Sequence, residues 1–167
     1  GPSDIWIGHQ GHEQWYNWTI DATNADVRSF WYSCYKSVNQ CNAVIESLEN
    51  NDIPGLDEDL KTRFLAESLF IRAHYFYHLV QQFCDIPMPL KPTNSVETTA
   101  HKTKVDEVWN QIVTDLEFAV ENLPETYQAS EFGHITKYAA MHHLSRVYLT
   151  LKRSDDDLKK ALNYAEQ

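Results

Sequence analysis

The chain has 167 residues, 43% of them apolar, with only 5 Gly and 6 Pro, which suffices for one sizeable core. A formal charge of −10, from 14 basic and 24 acidic residues, with no local basic patch, argues against nucleic acid and anionic lipid headgroups as partners. No run approaches the roughly 18 apolar residues that span a bilayer and no signal-peptide pattern opens the chain, while Gly1-Pro2 reads as the remnant of a protease cut, so any export signal would lie upstream.

Residues 1–24 set Trp6, Trp15, Tyr16 and Trp18 among Gly, His, Gln and Asn without sustained periodicity, which predicts an irregular aromatic-rich lead-in. Residues 25–167 are expected to form a helical domain. From about Asp26, the residues Phe30, Trp31, Cys34, Tyr35, Val38, Cys41, Ile45 and Leu48 recur at three- and four-residue steps, the signature of one helical face. Pro54-Gly55 ends that helix. A second is expected from Asp57, whose carboxylate suits the positive helix start. Its apolar residues, Leu65, Leu69, Ala73, Phe76, Val80 and Phe83 with Phe64, Ile71, Tyr75 and Leu79 on other sides, predict burial around most of the circumference.

Pro87, Pro89 and Pro92 impose an extended linker to about Lys102. Thr103 and Asp106 resemble a capping box for a third helix carrying Val105, Trp109, Ile112, Leu116, Ala119 and Leu123, stopped by Pro124. Thr136 is expected to cap a fourth, with Ala140, Leu144, Val147, Tyr148 and Leu151 on its apolar face. A fifth, beginning around Asp157, is still periodic at Gln167, so the helical domain is expected to be truncated at its C-terminal end. Asp155, Asp156 and Asp157 follow Ser154 and read as dipole-complementing solvated charge.

No strand signal survives, which gives an all-α class of successive antiparallel helix pairs. Leu144 and Tyr148 in one helix, with Ala161 and Ala165 in the next, match the spacing of a tetratricopeptide unit, where small Ala residues permit close approach and a bulky Tyr fills the gap.

Trp6, Trp15, Tyr16 and Trp18 are the best candidates for a sugar platform, because pyranose C–H faces pack on flat aromatic rings. His9, Gln10, Asn17 and Asn24 would supply the polar ring for hydroxyls. The competing reading has these aromatics anchoring the lead-in onto the helices. His74 and His78, four apart, have a chelating spacing, but packing or surface roles are the commoner use and HExxH is absent; no metal is assigned. Cys34, Cys41 and Cys84 form no CxxC pair and are expected to be buried free thiols. GxSxG, P-loop and GxGxxG strings are absent, so neither a catalytic set nor a cofactor is assigned, and Glu67 and Glu131 would serve as glycosidase acids only if folding set them about 5 to 9 Å apart. Buried Arg72 needs a carboxylate, for which Glu67 and Asp85 are nearby in sequence. Trp31 and Trp109 read as core wedges.

Several strings together resemble one family. Trp31, Tyr35, Val38, Asn42 and Ile45 match a W-x3-Y-x2-I-x3-N-x2-I helix, and Glu67 to Val80 looks like EA-x-F-x-RA-x-YYF-x-LV. Phe83 to Leu90 is similar to an FGDVPL turn with Cys84 in place of Gly. Val108 to Pro124 resembles V-x2-I-x2-DL-x2-A-x3-LP, and Gly133 to Ala140 resembles GR-x-TK-x-AA with His134 for Arg. In order and spacing these resemble the SusD/RagB family of outer-membrane nutrient-binding lipoproteins over roughly residues 30–167. The resemblance implies a tetratricopeptide-like SusD-type scaffold that binds a glycan or other nutrient at the outer surface and is not an enzyme. It also implies a SusC-like TonB-dependent transporter as partner, and attachment through an upstream lipid anchor. Under it, much of the ligand surface comes from loops around the scaffold. The alternative is a scaffold that only docks a protein partner.

Overall fold

Helix starts in this chain are chemically marked, and the computed structural model, which describes residues 13–21, 23–50, 53–95 and 101–167, places helices at those marks. They are α1 (Glu13–Tyr16), α2 (Ala25–Asn50), α3 (Glu58–Phe83), α4 (Val105–Asn122), α5 (Lys137–Leu151) and α6 (Asp155–Glu166), with a 3-10 turn at Ala129–Glu131. Asp57, Thr136 and Ser154 each accept a backbone N–H from three residues onward, as short polar side chains do at an N-cap. The fold is all-α; among the described residues β pairing is confined to an isolated antiparallel bridge between Ile86 and Thr103.

The expected capping box at α4 is not formed. Lys104 is the N-cap and makes no side-chain cap bond. The Val105 amide donates instead to Asp85 Oδ1 at 2.9 Å, because the Ile86–Thr103 bridge brings the end of α3 beside the start of α4 and leaves Thr103 in extended backbone.

Each helix from α2 to α6 packs on the next in sequence, and one apolar cluster runs through them: Cys34 and Val38 on α2, Phe76 and Leu79 on α3, Ile112 and Leu116 on α4, Leu144 and Tyr148 on α5, Ala161 on α6. α5 and α6 approach closely enough for the Ser145 hydroxyl to donate to the Ala161 carbonyl at 2.7 Å, and Tyr148 stacks on Tyr164 at 6.2 Å. Ala161 is buried as the repeat spacing requires, whereas Ala165 is exposed. Trp109 is a core wedge, edge-on to Tyr77.

The polar centre of the scaffold corrects one expectation. Arg72 pairs with neither Glu67 nor Asp85 but with Asp115 on α4, through Nε and Nη2 to both carboxylate oxygens at 2.8 Å. Glu67 lies on another side of α3 and accepts from Tyr127, while Asp85 is used at the start of α4. Burial pushes the Asp115 carboxyl above its usual range, opposed by Arg72 and Gln111. Asn42, 1% exposed, accepts from Arg72 Nη1 at 3.1 Å and donates to the Pro89 and Lys91 carbonyls. One buried network thereby ties α2, α3, α4 and the linker. Tyr35 and Asn39 continue it, the Tyr35 hydroxyl donating to Pro87 and Asn39 bridging Thr93, so the proline linker lies along α2.

Cys34 and Cys41 are buried free thiols, but Cys84 is exposed, contrary to expectation. It ends α3 at φ 58°, ψ −114°. That conformation suits glycine, so the turn keeps its positive φ although the residue has a Cβ.

Candidate functional site

The lead-in is built around Asn24. Its Oδ1 accepts the Asp26 and Val27 amides, capping α2, and its Nδ2 donates to Gln14 Oε1 at 2.6 Å. The Thr19 amide donates to the Gln14 carbonyl. Asn24 is thus consumed in fixing the backbone and does not supply the polar ring expected of it. The indole N–H of Trp15 donates to Asp26 Oδ2 at 3.0 Å, which turns the ring toward the first turns of α2.

Between this lead-in, the start of α2 and the end of α3 lies a cleft of about 950 Å³, near the upper end of the sizes common for ligand sites. Trp15, Phe30, Trp31 and Phe83 give it aromatic walls, with Ile20 and Val27 beside them. Trp31 stands edge-on to Phe83 at 4.8 Å between centroids and packs on Tyr35 at the same distance. Trp31 is therefore a core wedge on one side only. It is half-buried, one side on the core and the other on the cleft, because it lies only two turns from the start of α2, where the α3 partner is also ending.

Polar groups on the lining are Asp21, Asp26, Arg28, His78 and Gln82. The Thr23 hydroxyl and amide donate to Asp21 and hold its carboxyl below the usual range. His78 is lowered by burial and by Arg146, so at neutral pH its imidazole is uncharged. Behind it lie His74, at 4.6 Å between ring centroids, and then His143, at 5.3 Å from His74. His143 is buried with its Nε2 unpartnered, and burial, with His74 and Arg146 next in effect, lowers it from 6.5 to about 4. These imidazoles pack against one another and against Tyr77. Among the described residues no three His, Cys, Asp or Glu side chains converge to hold a metal ion.

Of the four aromatics expected to form a platform, Trp15 lines the cleft, whereas Trp18 is 79% exposed at φ 57° and is not part of its lining. Trp6 and the Tyr16 side chain lie outside the described residues, as do His9 and Gln10. Asn17 is exposed. Phe30, Phe83 and the polar lining went unassigned at the sequence level. The available signal was aromatic crowding at both ends that an antiparallel pair must bring together, Phe30-Trp31 opening α2 and Phe83 closing α3.

The two carboxylates weighed as glycosidase acids are each engaged elsewhere. Glu67 accepts from the Tyr127 hydroxyl and meets His134 Nδ1, both at 3.0 Å, and Glu131 accepts from Arg63 Nη1 at 2.8 Å. Tyr127 also donates to the Ile135 carbonyl, so these contacts fasten the α4–α5 loop onto α3, and neither carboxylate lines the aromatic cleft.

Residues 3–149 match the SusD-like family model described as "Starch-binding associating with outer membrane". The chain is 31% identical to SusD-like protein P2 of Formosa agariphila over 96% of its own length and 31% of that protein's. Its structure is similar to a SusD-like carbohydrate-binding protein of Bacteroides fragilis, with a TM-score of 0.77 at 26% identity, covering 87% of this chain and 27% of that one. It is also similar to a laminarin-binding SusD-like protein, with a TM-score of 0.79 at 28% identity, covering 90% of this chain and 31% of the other. The chain therefore spans under a third of the length of these relatives.

Proposed function

Because the chain belongs to the SusD-like family, described as starch-binding and associating with the outer membrane, we propose that it captures a glycan in its aromatic cleft for delivery to a SusC-like TonB-dependent transporter. In this reading it is the helical part of a longer lipoprotein, anchored at the cell surface by a lipid upstream, and it binds without catalysis. Among the described residues no helix is long and apolar enough to cross a membrane.

The observation that carries the reading is the composition of the cleft: flat rings of Trp15 and Trp31 beside Phe83, rimmed by Asp21, Asp26, Arg28 and Gln82. Aromatic faces accept the C–H side of a pyranose and leave its hydroxyls to the rim. The lead-in aromatics Trp6, Trp15, Tyr16 and Trp18 remain the proposed sugar platform, with Trp15 its member in the cleft and Trp18 a face open to solvent. The laminarin named for one relative makes neutral glucans the first probes.

Calorimetry with laminarihexaose and maltoheptaose tests this. Binding of either, weakened at least tenfold by Trp31→Ala, about 1.4 kcal/mol, is the expected result. No heat from any neutral or acidic oligosaccharide refutes it. The alternative of a scaffold that only docks a protein draws on the apolar side chains left open on α5 and α6, Tyr138, Leu149 and Leu162. It predicts that a pulled-down transporter is retained by the wild type and by Trp31→Ala alike, with no glycan binding in either.

A further inference from the structure

Trp15 sits on a helix of four residues, too short to persist on its own in water. The Gln14 contacts to Asn24 and Thr19 fix where its backbone runs. They do not fix the rotation of the indole about its side-chain torsions. The directional contact that does so is the 3.0 Å bond from Nε1 to Asp26 Oδ2. An indole has a single polar donor, so a ring whose N–H is held by a carboxylate at its edge keeps its flat faces for apolar contact. Asp26 is itself well supported: it lies in the first turn of α2, where the helix dipole favours an anion, and Asn24 Oδ1 holds its amide. Both partners line the cleft.

Resting on the glycan-capture reading above, we propose that Asp26 is the positioning residue of the site, holding the Trp15 ring in the orientation that stacks against sugar. The carboxylate acts through the indole: its acceptor oxygen sets the plane of the ring before ligand arrives, and this preorganisation removes an ordering cost from binding. An acceptor at this place is what matters, so the amide oxygen of asparagine substitutes for the carboxylate and the methyl of alanine does not.

The test uses the 167-residue chain as wild type, Asp26→Ala and Asp26→Asn, with laminarihexaose and maltoheptaose as probes. Two-dimensional amide NMR reports the indole N–H groups of the 5 tryptophans, and loss of one cross-peak in Trp15→Phe assigns the relevant signal. The expected result for Asp26→Ala is an upfield, broadened Trp15 N–H signal with affinity reduced at least tenfold, while the other four indole signals and cooperative melting persist. Asp26→Asn is expected to return the signal close to its wild-type position and affinity to within threefold. A purely structural role for Asp26 would move the melting temperature without this selective shift or the rescue. Wild-type binding that Asp26→Ala leaves intact overturns the positioning role and spares glycan capture. Failure of the wild type to bind these probes or any other neutral or acidic oligosaccharide overturns the premise and the positioning role with it.

Discussion

Replacing Asp115 by alanine tests whether the buried network is the joint on which the scaffold depends. Arg72 is 5% exposed and Asp115 3%, and their two bonds are 2.8 Å long. In Asp115→Ala the guanidinium keeps only the 3.1 Å contact to Asn42 Oδ1, too few acceptors for a charge removed from water. Breaking one partner of a buried pair costs about 3 to 5 kcal/mol. At about 2 to 4 °C per kcal/mol for a chain of this size, the melting temperature should fall by roughly 6 to 20 °C. Urea unfolding followed by circular dichroism should show a lower midpoint at unchanged slope. Asp115→Asn should lose nearly as much, because its amide N–H group would face the donors of Arg72. The double variant Arg72→Leu, Asp115→Leu should recover much of the loss, since no charge is then stranded. Loss of under about 1 kcal/mol in Asp115→Ala, or a double variant no better than the sum of its singles, would refute the reasoning.

Acid should weaken the fold through His143. Burial lowers its folded pKa from 6.5 to about 4, so the unfolded chain takes up the proton first. This contribution to stability is complete above pH 6.5, is lost as pH falls toward 4, and amounts to roughly 3 kcal/mol at most. His74, His78, His142 and Arg146 oppose the added charge, and urea midpoints between pH 7 and 4.5 should decline less steeply in His143→Leu. Cys84→Gly should stabilise by about 1 kcal/mol in the same assay, since glycine relieves the positive φ at the end of α3; an unchanged or lower midpoint would contradict this. Under native conditions a thiol reagent should modify Cys84 rapidly and Cys34 and Cys41 only on unfolding, because the latter two are buried and burial raises Cys41 to about 11. Mass spectrometry of partly labelled protein reads the order.

The helices were legible because their information is local. Asp57, Thr136 and Ser154 mark helix starts by bonds reaching three residues, and burial repeats with the helical period along α2 and α4. The partner of Arg72 was not legible, because it lies 43 residues away on another helix. Glu67 and Asp85 are nearer in sequence, yet helix geometry turns the first aside and the Ile86–Thr103 bridge claims the second. The same bridge explains the missing capping box: the Asp85 side chain, just past the end of α3, reaches the Val105 amide, a contact that a four-residue motif cannot encode.

The candidate site lies between these cases, and Trp31 shows why. Its spacing to Cys34 and Val38 is that of a core residue, and one side of the indole does pack on the core. Periodicity reports which way a side chain faces around the helix but not how much neighbouring structure remains at that level along it. α2 has only just begun at Trp31, and α3 ends at Phe83, so the ring is covered below and open toward the lead-in. An aromatic on a core-facing register near paired helix ends is therefore ambiguous between wedge and wall. The burial that fixes Trp31 against Phe83 and Tyr35 also makes its open side a rigid surface, whereas Trp15, on a single helical turn, needs Asp26 to become one. The scaffold thus supplies one wall of the cleft directly, and the other depends on a hydrogen bond between residues that no periodic pattern connects.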